Sequence, residues 1–361
     1  GAIYISSSST ASFSSCVFSR NTVANGNNWD AASGGAAYIS SSEVAFSSCL
    51  FYRSSAYVTA GYGYAYGGAV HITGASTAVA CSGTYFAASF GGHVPGSEGN
   101  WGSSAEDVYI YGDGPKYSAQ TISEGSFSTE DCNSTDGQGS VGTLDTSSGT
   151  YDNYFCLISN FSSYFSSSSS PSTVSAYSEA DIASNLKSDT TIELQANVTL
   201  PAGGGASSAF VISGVVNLVI NGNGHSIRFA SSSSSNGRFF YIDSYSGVEI
   251  NDLTLENGYV YGASDDDGGG AIYSSMSSLV MNGCELSNNK ASHFSGYLNG
   301  ALGGAVFVIS SSAPFYATFS SCVFSRNTVA NGNSWDAASG GAAYISSSEV
   351  AFSSCLFYRS S

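Results

Sequence analysis

The sequence repeats itself, and this self-similarity constrains the fold more than any other feature. Residues 13–55 recur 306 residues later at 319–361, with a single difference between Asn28 and Ser334. Upstream of the two copies the sequences drift apart, which disfavours a constructed duplication. We therefore expect tandem homologous modules, with the chain as an excerpt that holds one whole module and the start of the next.

A shorter period of about 30 to 38 residues runs inside the module, in the range typical of solenoid repeats. The phrase Gly-Gly-Ala followed by Ala, Val or Ile recurs at 34–37, 67–70, 269–272 and 303–306. Each copy precedes a short run of strand-forming residues. A second run, a two-residue corner and a third run follow.

Apolar residues occupy the same four places around this corner in at least four segments. These are Ala11, Phe13, Cys16 and Phe18; Val44, Phe46, Cys49 and Phe51; Val248, Ile250, Leu253 and Leu255; and Leu279, Met281, Cys284 and Leu286. Alternation at period two indicates a strand with one buried face. The corner shifts the alternation by one residue, so the chain turns while its apolar side stays inward.

Stacking such segments at the spacing between strands would align equivalent side chains in columns. The predicted fold is therefore all-β, a right-handed parallel β-helix with a short capping helix and an irregular Ser-rich linker. Five cysteines are predicted to form a buried ladder of wall residues, with disulfides as the alternative: Cys16, Cys49, Cys284, Cys322 and Cys355. Asn21, Asn289 and Asn327 each follow a third strand and are predicted to form a column at the next corner.

The Gly-Gly-Ala-Ile/Val phrase, combined with Phe-x-x-Asn at 18–21 and 324–327, resembles the repeats of chlamydial polymorphic outer-membrane proteins. More broadly, the pattern resembles the pectin-lyase-like β-helix superfamily. The resemblance covers roughly residues 178–361 and 1–112. It implies an architecture shared by adhesins and other microbial surface proteins, and it transfers no functional residue.

Three regions follow from the patterns. Residues 1–112 are predicted to be the last coils of one β-helix module. Residues 178–361 are predicted to be the cap and first coils of the next, beginning with a helix near 178–186 whose Ala180, Ala183 and Leu186 would be buried. The Ser/Pro-rich stretch 113–177 is predicted to be a linker, or alternatively a cover for the edges of the neighbouring module.

The linker carries the best disulfide candidate, Cys132 with Cys156, because neither belongs to a coil. Three N-glycosylation sequons begin at Asn133, Asn160 and Asn197. With the composition, they favour an extracellular or cell-surface protein bearing covalently attached glycans. No apolar stretch is long enough for a transmembrane helix, so we expect no membrane insertion in this segment.

A net charge of −17 argues against nucleic acid and anionic membranes as partners and would suit cations or neutral glycans. No cofactor, metal or catalytic residue is predicted. Asp265, Asp266 and Asp267 form a single acidic cluster, which is a candidate calcium site or simply a solvated loop. The four histidines show no metal-ligand spacing. The Tyr-rich stretches 57–66 and 258–262, with Trp29, Trp101 and Trp335, are candidate contacts to sugars or proteins, or covers for the flank of the rod.

The sequence therefore predicts a non-enzymatic structural subunit of an extracellular glycosylated fibre, with copies of itself or adjoining modules as end-to-end partners. Two alternatives remain. One is the stalk of a cell-surface adhesin of autotransporter type, and the other is a β-helix that binds or cleaves polysaccharide.

Overall fold

The computed structural model of the chain is nearly all β, with one short helix. It describes residues 1–25, 31–58, 64–73, 78–82, 85–87, 90–93, 103–104, 108–111, 120–122, 138–139, 154–155, 172–201, 208–230, 236–262, 268–293, 301–309, 316–331 and 339–361. The chain forms two compact units, described here one at a time. The N-terminal unit comprises Gly1–Ile158 and Phe352–Ser361, and the C-terminal unit comprises Ser159–Ala351.

The C-terminal unit is built from parallel sheets to which each pass of the chain adds one strand. The first sheet contains Ser208–Ser213, Arg238–Asp243, Ile272–Ser275, Val306–Ile309 and Ala343–Ser346. The second contains Ser172–Ala176, Thr190–Leu194, Leu218–Asn221, Gly247–Asn251, Ser278–Asn282 and Tyr316–Ser320. The third contains Val198–Leu200, Ser226–Phe229, Thr254–Glu256, Glu285–Ser287 and Val323–Ser325. A fourth contains Tyr259–Gly262, Lys290–His293 and Thr328–Asn331.

The N-terminal unit follows the same order. Its first sheet contains Ile3–Ser6, Ala37–Ser40, Val70–Thr73 and Val108–Tyr111, with Gln120–Ile122 added antiparallel. Its second contains Thr10–Ser14, Glu43–Ser47 and Ala78–Ser82, and its third contains Leu356–Tyr358, Val17–Ser19, Leu50–Tyr52 and Tyr85–Ala87. Two further parallel sheets contain Thr22–Asn25, Ser55–Val58 and Phe90–His93, and Ala31–Ser33, Tyr64–Tyr66 and Ser103–Ser104. Gln138–Gly139 and Tyr154–Phe155 pair antiparallel, and the strand Glu349–Ser353 contains the boundary between the units.

The residues predicted to point inward are buried. Each of the sixteen side chains in the four aligned segments is at most 2% exposed. The corner between the second and third strands works because its second residue adopts a left-handed conformation, with φ between 47° and 64°. These residues are Ser15, Ser48, Asp252, Gly283, Ser321 and Ser354. Such a residue redirects the chain in one step, which Ser, Asp and Gly can do at modest cost.

The Gly-Gly-Ala phrase marks the entry into the first sheet. Gly269 has a φ of +69°, which favours glycine. A Cβ on the following residue, Gly270, would overlap the backbone of Gly304 in the next pass and of Lys290. The second glycine is therefore required by close backbone approach between passes.

The start of the C-terminal unit differs from the prediction. The helix spans Glu179–Ser184, with Ser178 as its N-cap accepting from the Asp181 amide. The predicted buried face was wrong, because Ile182 is the residue of this helix that is buried, while Ala180 and Ala183 are exposed. Ser172–Ala176, placed in the linker from sequence, forms a strand paired in parallel with Thr190–Leu194. Within the described residues, no helix is long and apolar enough to span a bilayer.

Candidate binding surface

An outward ladder of aromatic rings runs along the first sheet of the C-terminal unit. Each ring stands one position after the inward residue that follows Gly-Gly-Ala or its equivalent, so the strand alternation turns it outward. Strand register aligns Tyr241 with Tyr273, Tyr273 with Phe307, and Phe307 with Tyr344. The successive ring centroids are 4.9, 5.1 and 5.2 Å apart, and the rings are within 10° of parallel. We call these four residues the C-terminal aromatic ladder.

Exposure varies along this ladder. Tyr273 and Phe307 are buried, at 5% and 3% exposure, whereas Tyr241 and Tyr344 are partly exposed. The Arg238 guanidinium lies 5.6 Å from the Tyr241 ring centroid and 5.0 Å from that of Tyr273, so it braces the ladder from one side. Because stacked rings cover one another's faces and the two middle rings are buried, the part of the ladder that reaches solvent belongs to Tyr241 and Tyr344.

The N-terminal unit carries the same column with a different composition. Tyr4 stacks on Tyr38 at 4.9 Å, and Tyr38 meets His71 edge-on at 5.0 Å. The register continues from His71 to Tyr109. Burial lowers the pKa of His71 to about 4, so this imidazole is neutral at physiological pH. Burial likewise raises the pKa of the Tyr38 phenol.

A second outward row, on the second sheet of the C-terminal unit, is polar. Asn282 donates to Asn251 at 2.9 Å, Asn251 to Asn221 at 3.0 Å, and Asn221 to the Glu193 carboxylate at 2.7 Å. Asn223 donates to the other Glu193 oxygen at 2.8 Å. This amide ladder has a fixed direction and ends on a carboxylate, so Glu193 collects two donors from the next pass.

A buried asparagine column forms at the corner after the third strand, where the sequence predicted it. Asn289 donates to the Leu255 carbonyl at 3.1 Å, and Asn327 donates to the Leu286 carbonyl at 2.8 Å. The Asn327 side-chain oxygen also accepts from the Asn289 backbone at 3.0 Å. Each carboxamide therefore satisfies a carbonyl and an amide of the neighbouring pass, which is the requirement for burying polar backbone at a corner.

The five ladder cysteines are buried thiols that form no disulfide with one another in the described structure. The Cys284 Sγ lies 3.3 Å from the Ile250 carbonyl oxygen, and the Cys49 Sγ lies 3.5 Å from that of Phe13. Hydrogen bonding with the Cys355 thiol, assisted by burial, raises the pKa of Cys16 to about 12. The Cys16 thiol is therefore protonated at neutral pH, whereas hydrogen bonding with the Cys322 thiol lowers the pKa of Cys284.

Several predicted positions lie outside the described residues: Cys132, Cys156, Asn133, Asn160, Asp265, Asp266, Asp267, Trp29, Trp101 and Trp335. Asn197 is described. Its side chain is exposed, and its Oδ1 accepts from the Ser226 backbone at 3.0 Å. Of the Tyr-rich stretches, 258–262 contains the strand Tyr259–Gly262, whose Tyr261 is 39% exposed, and the Lys290 ammonium lies 4.9 Å over the Tyr259 ring. Among the described residues, no group of three or more His, Cys, Asp or Glu could hold a metal ion.

The sequence-based prediction placed the aromatic contacts in the Tyr-rich stretches and at the tryptophans, and it missed both outward ladders. A signal was present, because Tyr or Phe recurs at the fourth position after the first glycine of the phrase, at Tyr38, Tyr273, Phe307 and Tyr344. His71 takes that position in one copy. An aromatic at a constant offset from a repeat marker indicates a column, even where its side chain points outward.

A comparison with known protein families matches a part of the chain that carries some of this surface. A family model described as "Putative pectate lyase-like adhesive domain" matches residues 172–292, a stretch that contains Tyr241, Tyr273 and the whole amide ladder. Comparisons with curated proteins and with solved structures returned no match. The match supports a relation to pectin-lyase-like proteins and a surface adhesin or polysaccharide-related role. It gives no support to the closer resemblance to polymorphic outer-membrane proteins, which stays a prediction.

Proposed function

We propose that this chain is a non-catalytic adhesive module of an extracellular or cell-surface protein, and that its outward ladders are the contact surface. The observation that carries the proposal is the coincidence of the adhesive-domain match with the C-terminal aromatic and amide ladders. Adhesion needs a broad surface that keeps its shape under load. Stacked rings and bonded carboxamides supply one because each side chain is held by its neighbours.

The architecture that fits this role is a right-handed parallel β-helix with the short helix near its N-terminal end. Support comes from the constant strand order in the sheets of each unit and from the single residue per pass at each register position. Handedness follows from the general rule that connections between parallel strands of one sheet are right-handed in about 98% of cases.

The ligand class we favour is polysaccharide. Ring edges and phenol hydroxyls on one sheet, and amide groups on the next, provide apolar contact together with hydrogen bonds, the combination used to hold sugars. The amide ladder repeats over three passes, and the aromatic ladder is partly exposed at Tyr241 and at Tyr344, so a polymer with regularly spaced units would make several similar contacts. Such repeated weak contacts add up through effective concentration.

The proposal is tested by measuring adhesion of the purified full chain to immobilised polysaccharides. We expect Tyr241→Ser with Tyr344→Ser to weaken retention roughly ten-fold, because both partly exposed rings of the ladder are lost. Tyr245→Ser is the matched control, since Tyr245 is 65% exposed and lies outside the ladder. Equal losses in the control and the double variant, or release of unsaturated sugar products by the native chain, would sink the proposal.

A second function, a structural fibre subunit built from tandem modules, is favoured by a specific contact inside the N-terminal unit. Residues 46–55 and Phe352–Ser361 have the same sequence, and they flank the pass at 13–22 on its two sides. The Phe18 ring stacks on Phe51 at 4.5 Å and on Phe357 at 4.7 Å. One sequence therefore packs in register on both sides of the same pass.

Passes from adjoining copies could stack end to end in the same way, because parallel pairing in register does not distinguish which copy supplies the next strand. Electron microscopy of the native material tests this. Filaments whose axial repeat matches one 306-residue module support a fibre. Isolated short rods contradict it and leave adhesion as the remaining function.

An extracellular location leads to two further proposals, N-glycosylation and a disulfide bond. Glycans would be attached at Asn133, Asn160 and Asn197, and Cys132 would pair with Cys156. Peptide mapping of the secreted protein tests these, with mass shifts expected at the three asparagines and a linked peptide joining the two cysteines. Recovery of unmodified asparagines and alkylated cysteines from secreted material would contradict them.

A further inference from the structure

A row of exposed arginines crosses three neighbouring passes of the N-terminal unit. Arg20, Arg53 and Arg359 each follow the last residue of a third-sheet strand, and each adopts a left-handed conformation with φ between 50° and 55°. The Arg20 amide donates to the Tyr52 carbonyl, and the Arg359 amide donates to the Ser19 carbonyl. Their backbones are therefore in register, with Arg20 in the middle.

This row is basic, whereas the chain as a whole is strongly acidic. The protein has nine lysine and arginine residues and a net charge of −17. Three of the nine lie in this one column, and the three segments that carry them, at 10–22, 46–55 and Phe352–Ser361, contain no Asp or Glu. Along these stretches the charge is therefore positive, although the second-sheet strands that precede two of the arginines begin with Glu43 and Glu349.

The spacing of the row is that of the passes. Phe18 lies two positions before Arg20, and its ring is 4.5 Å from Phe51 and 4.7 Å from Phe357. Like charges placed directly opposite on neighbouring strands repel one another. An anion that bridges them would relieve that repulsion, so the arrangement is better suited to a bound polyanion than to an empty surface.

The guanidinium groups of Arg53 and Arg359 are held over tyrosine rings, and their N–H donors stay available. The Arg53 Cζ lies 4.9 Å over the Tyr52 ring centroid, and the Arg359 Cζ lies 5.0 Å over that of Tyr358. Stacking on an aromatic uses the face of a guanidinium and leaves its in-plane N–H donors available. Across the described part of the chain, no side-chain hydrogen bond or ion pair holds any of the three groups.

We propose that Arg20, Arg53 and Arg359 form a binding site for an extended polysaccharide bearing carboxylate or sulfate groups. The planar fork of each arginine would bind one anionic group, and successive passes would bind successive groups along the polymer. The three arginines follow third-sheet strands of the N-terminal unit, and the site does not depend on the function proposed for the C-terminal aromatic ladder. Arg326 and Arg359 are the tandem copies of Arg20 and Arg53, so both copies of the repeat carry an arginine at these two positions.

The test uses the full chain and two probes, a sulfated glucan and polygalacturonate, with neutral dextran as the uncharged reference. We expect at least one anionic probe to bind, and its affinity to fall as NaCl is raised. Arg20→Gln with Arg53→Gln should weaken that affinity roughly ten-fold or more. Arg228→Gln removes an equally exposed arginine on a third-sheet strand of the C-terminal unit and should change the affinity by about two-fold at most.

Binding by the sulfated probe alone or by the carboxylated probe alone supports the site and identifies the anion. Arg20→Lys with Arg53→Lys keeps the charge but not the planar fork, and we expect it to bind more weakly than the native chain. Failure of both anionic probes to bind would overturn the proposal. So would equal losses in the double variant and in Arg228→Gln.

Discussion

The two units share one strand pattern but fill its columns with different chemistry. In the N-terminal unit one inward column consists of stacked phenylalanines, with Phe18 between Phe51 and Phe357. In the C-terminal unit the equivalent column runs through Leu255, Leu286 and Phe324. Register rather than residue identity therefore defines a column, and the residues in it decide how each unit is stabilised.

The polar and outward columns differ as well. The C-terminal unit has adjacent buried asparagines, whereas in the N-terminal unit Asn21 is flanked by Ser54 and Ser360. The outward aromatic column contains Tyr and Phe in one unit but includes the titratable His71 in the other. The N-terminal unit thus has stacked phenylalanines and an interrupted asparagine column, whereas the C-terminal unit has a mixed inward column and adjacent asparagines. Substitutions in each column can test this difference between the units.

Removing a stacked phenylalanine should have the largest effect. Phe18→Ala should cost the N-terminal unit about 4 kcal/mol of unfolding free energy, because the side chain is fully buried between two rings. Leu255→Ala is the matched change in the C-terminal unit and should cost about 3 kcal/mol there. Hydrogen–deuterium exchange followed by peptide mass spectrometry separates the two units. A larger loss for Leu255→Ala would contradict the importance of ring stacking.

Breaking the asparagine column should be the next largest effect. Asn327→Ala leaves the Leu286 carbonyl and the Asn289 amide buried without their partner, at a cost of about 3 kcal/mol. Asn282→Ala removes a carboxamide from the outward ladder, where water can replace it, and should cost under about 1 kcal/mol. Denaturant unfolding of both variants measures the difference. Similar losses would show that burial does not distinguish the two amide rows.

Acid should destabilise the N-terminal unit through His71. Because burial lowers the folded-state pKa from 6.5 to about 4, the unfolded chain binds a proton first as the pH falls. Stability is therefore complete above pH 6.5 and has decreased by roughly 3 kcal/mol at pH 4. Unfolding measured across this range should show the loss, and His71→Phe should remove most of it. An unchanged pH profile in His71→Phe would assign the acid sensitivity to other groups.

Extending the asparagine column should give the smallest effect, and it is a gain. Ser54 is fully buried, and its hydroxyl makes no hydrogen bond within the described structure. Ser54→Asn would place a carboxamide next to Asn21 and should raise stability by about 1 kcal/mol. Ser54→Ala should be nearly neutral, because the hydroxyl contributes no bond. A loss of stability in Ser54→Asn would show that the corner lacks room for the larger side chain.

The inward-facing residues of this fold could be predicted from sequence. Burial requires an apolar residue at every second position, with a shift of one residue at the corner between the second and third strands. Cys81 lies in the second-sheet strand Ala78–Ser82, where the register sets it opposite Phe46. Ser172–Ala176 was missed because its polar residues show no alternation. The buried side of the helix was misjudged because six residues provide less than two turns in which a face can repeat.

The candidate sites were harder to predict, because they depend on neighbours across passes. Arg20 and Arg53 are separated by 33 positions in the sequence, and Arg359 is a further 306 positions from Arg53. Parallel register alone brings the three together. Outward side chains are not constrained by burial, so their columns become visible only when the register of every strand is known.

An experimental high-resolution structure of the full chain tests the central claim most directly, which is that successive passes stack in register. We expect Phe18 to lie between Phe51 and Phe357 at ring separations near 4.5 and 4.7 Å, with the Asn327 side chain donating to the Leu286 carbonyl. A structure in which these rings are not neighbours, or in which the strands pair antiparallel, would contradict the columns and both of the binding surfaces built on them.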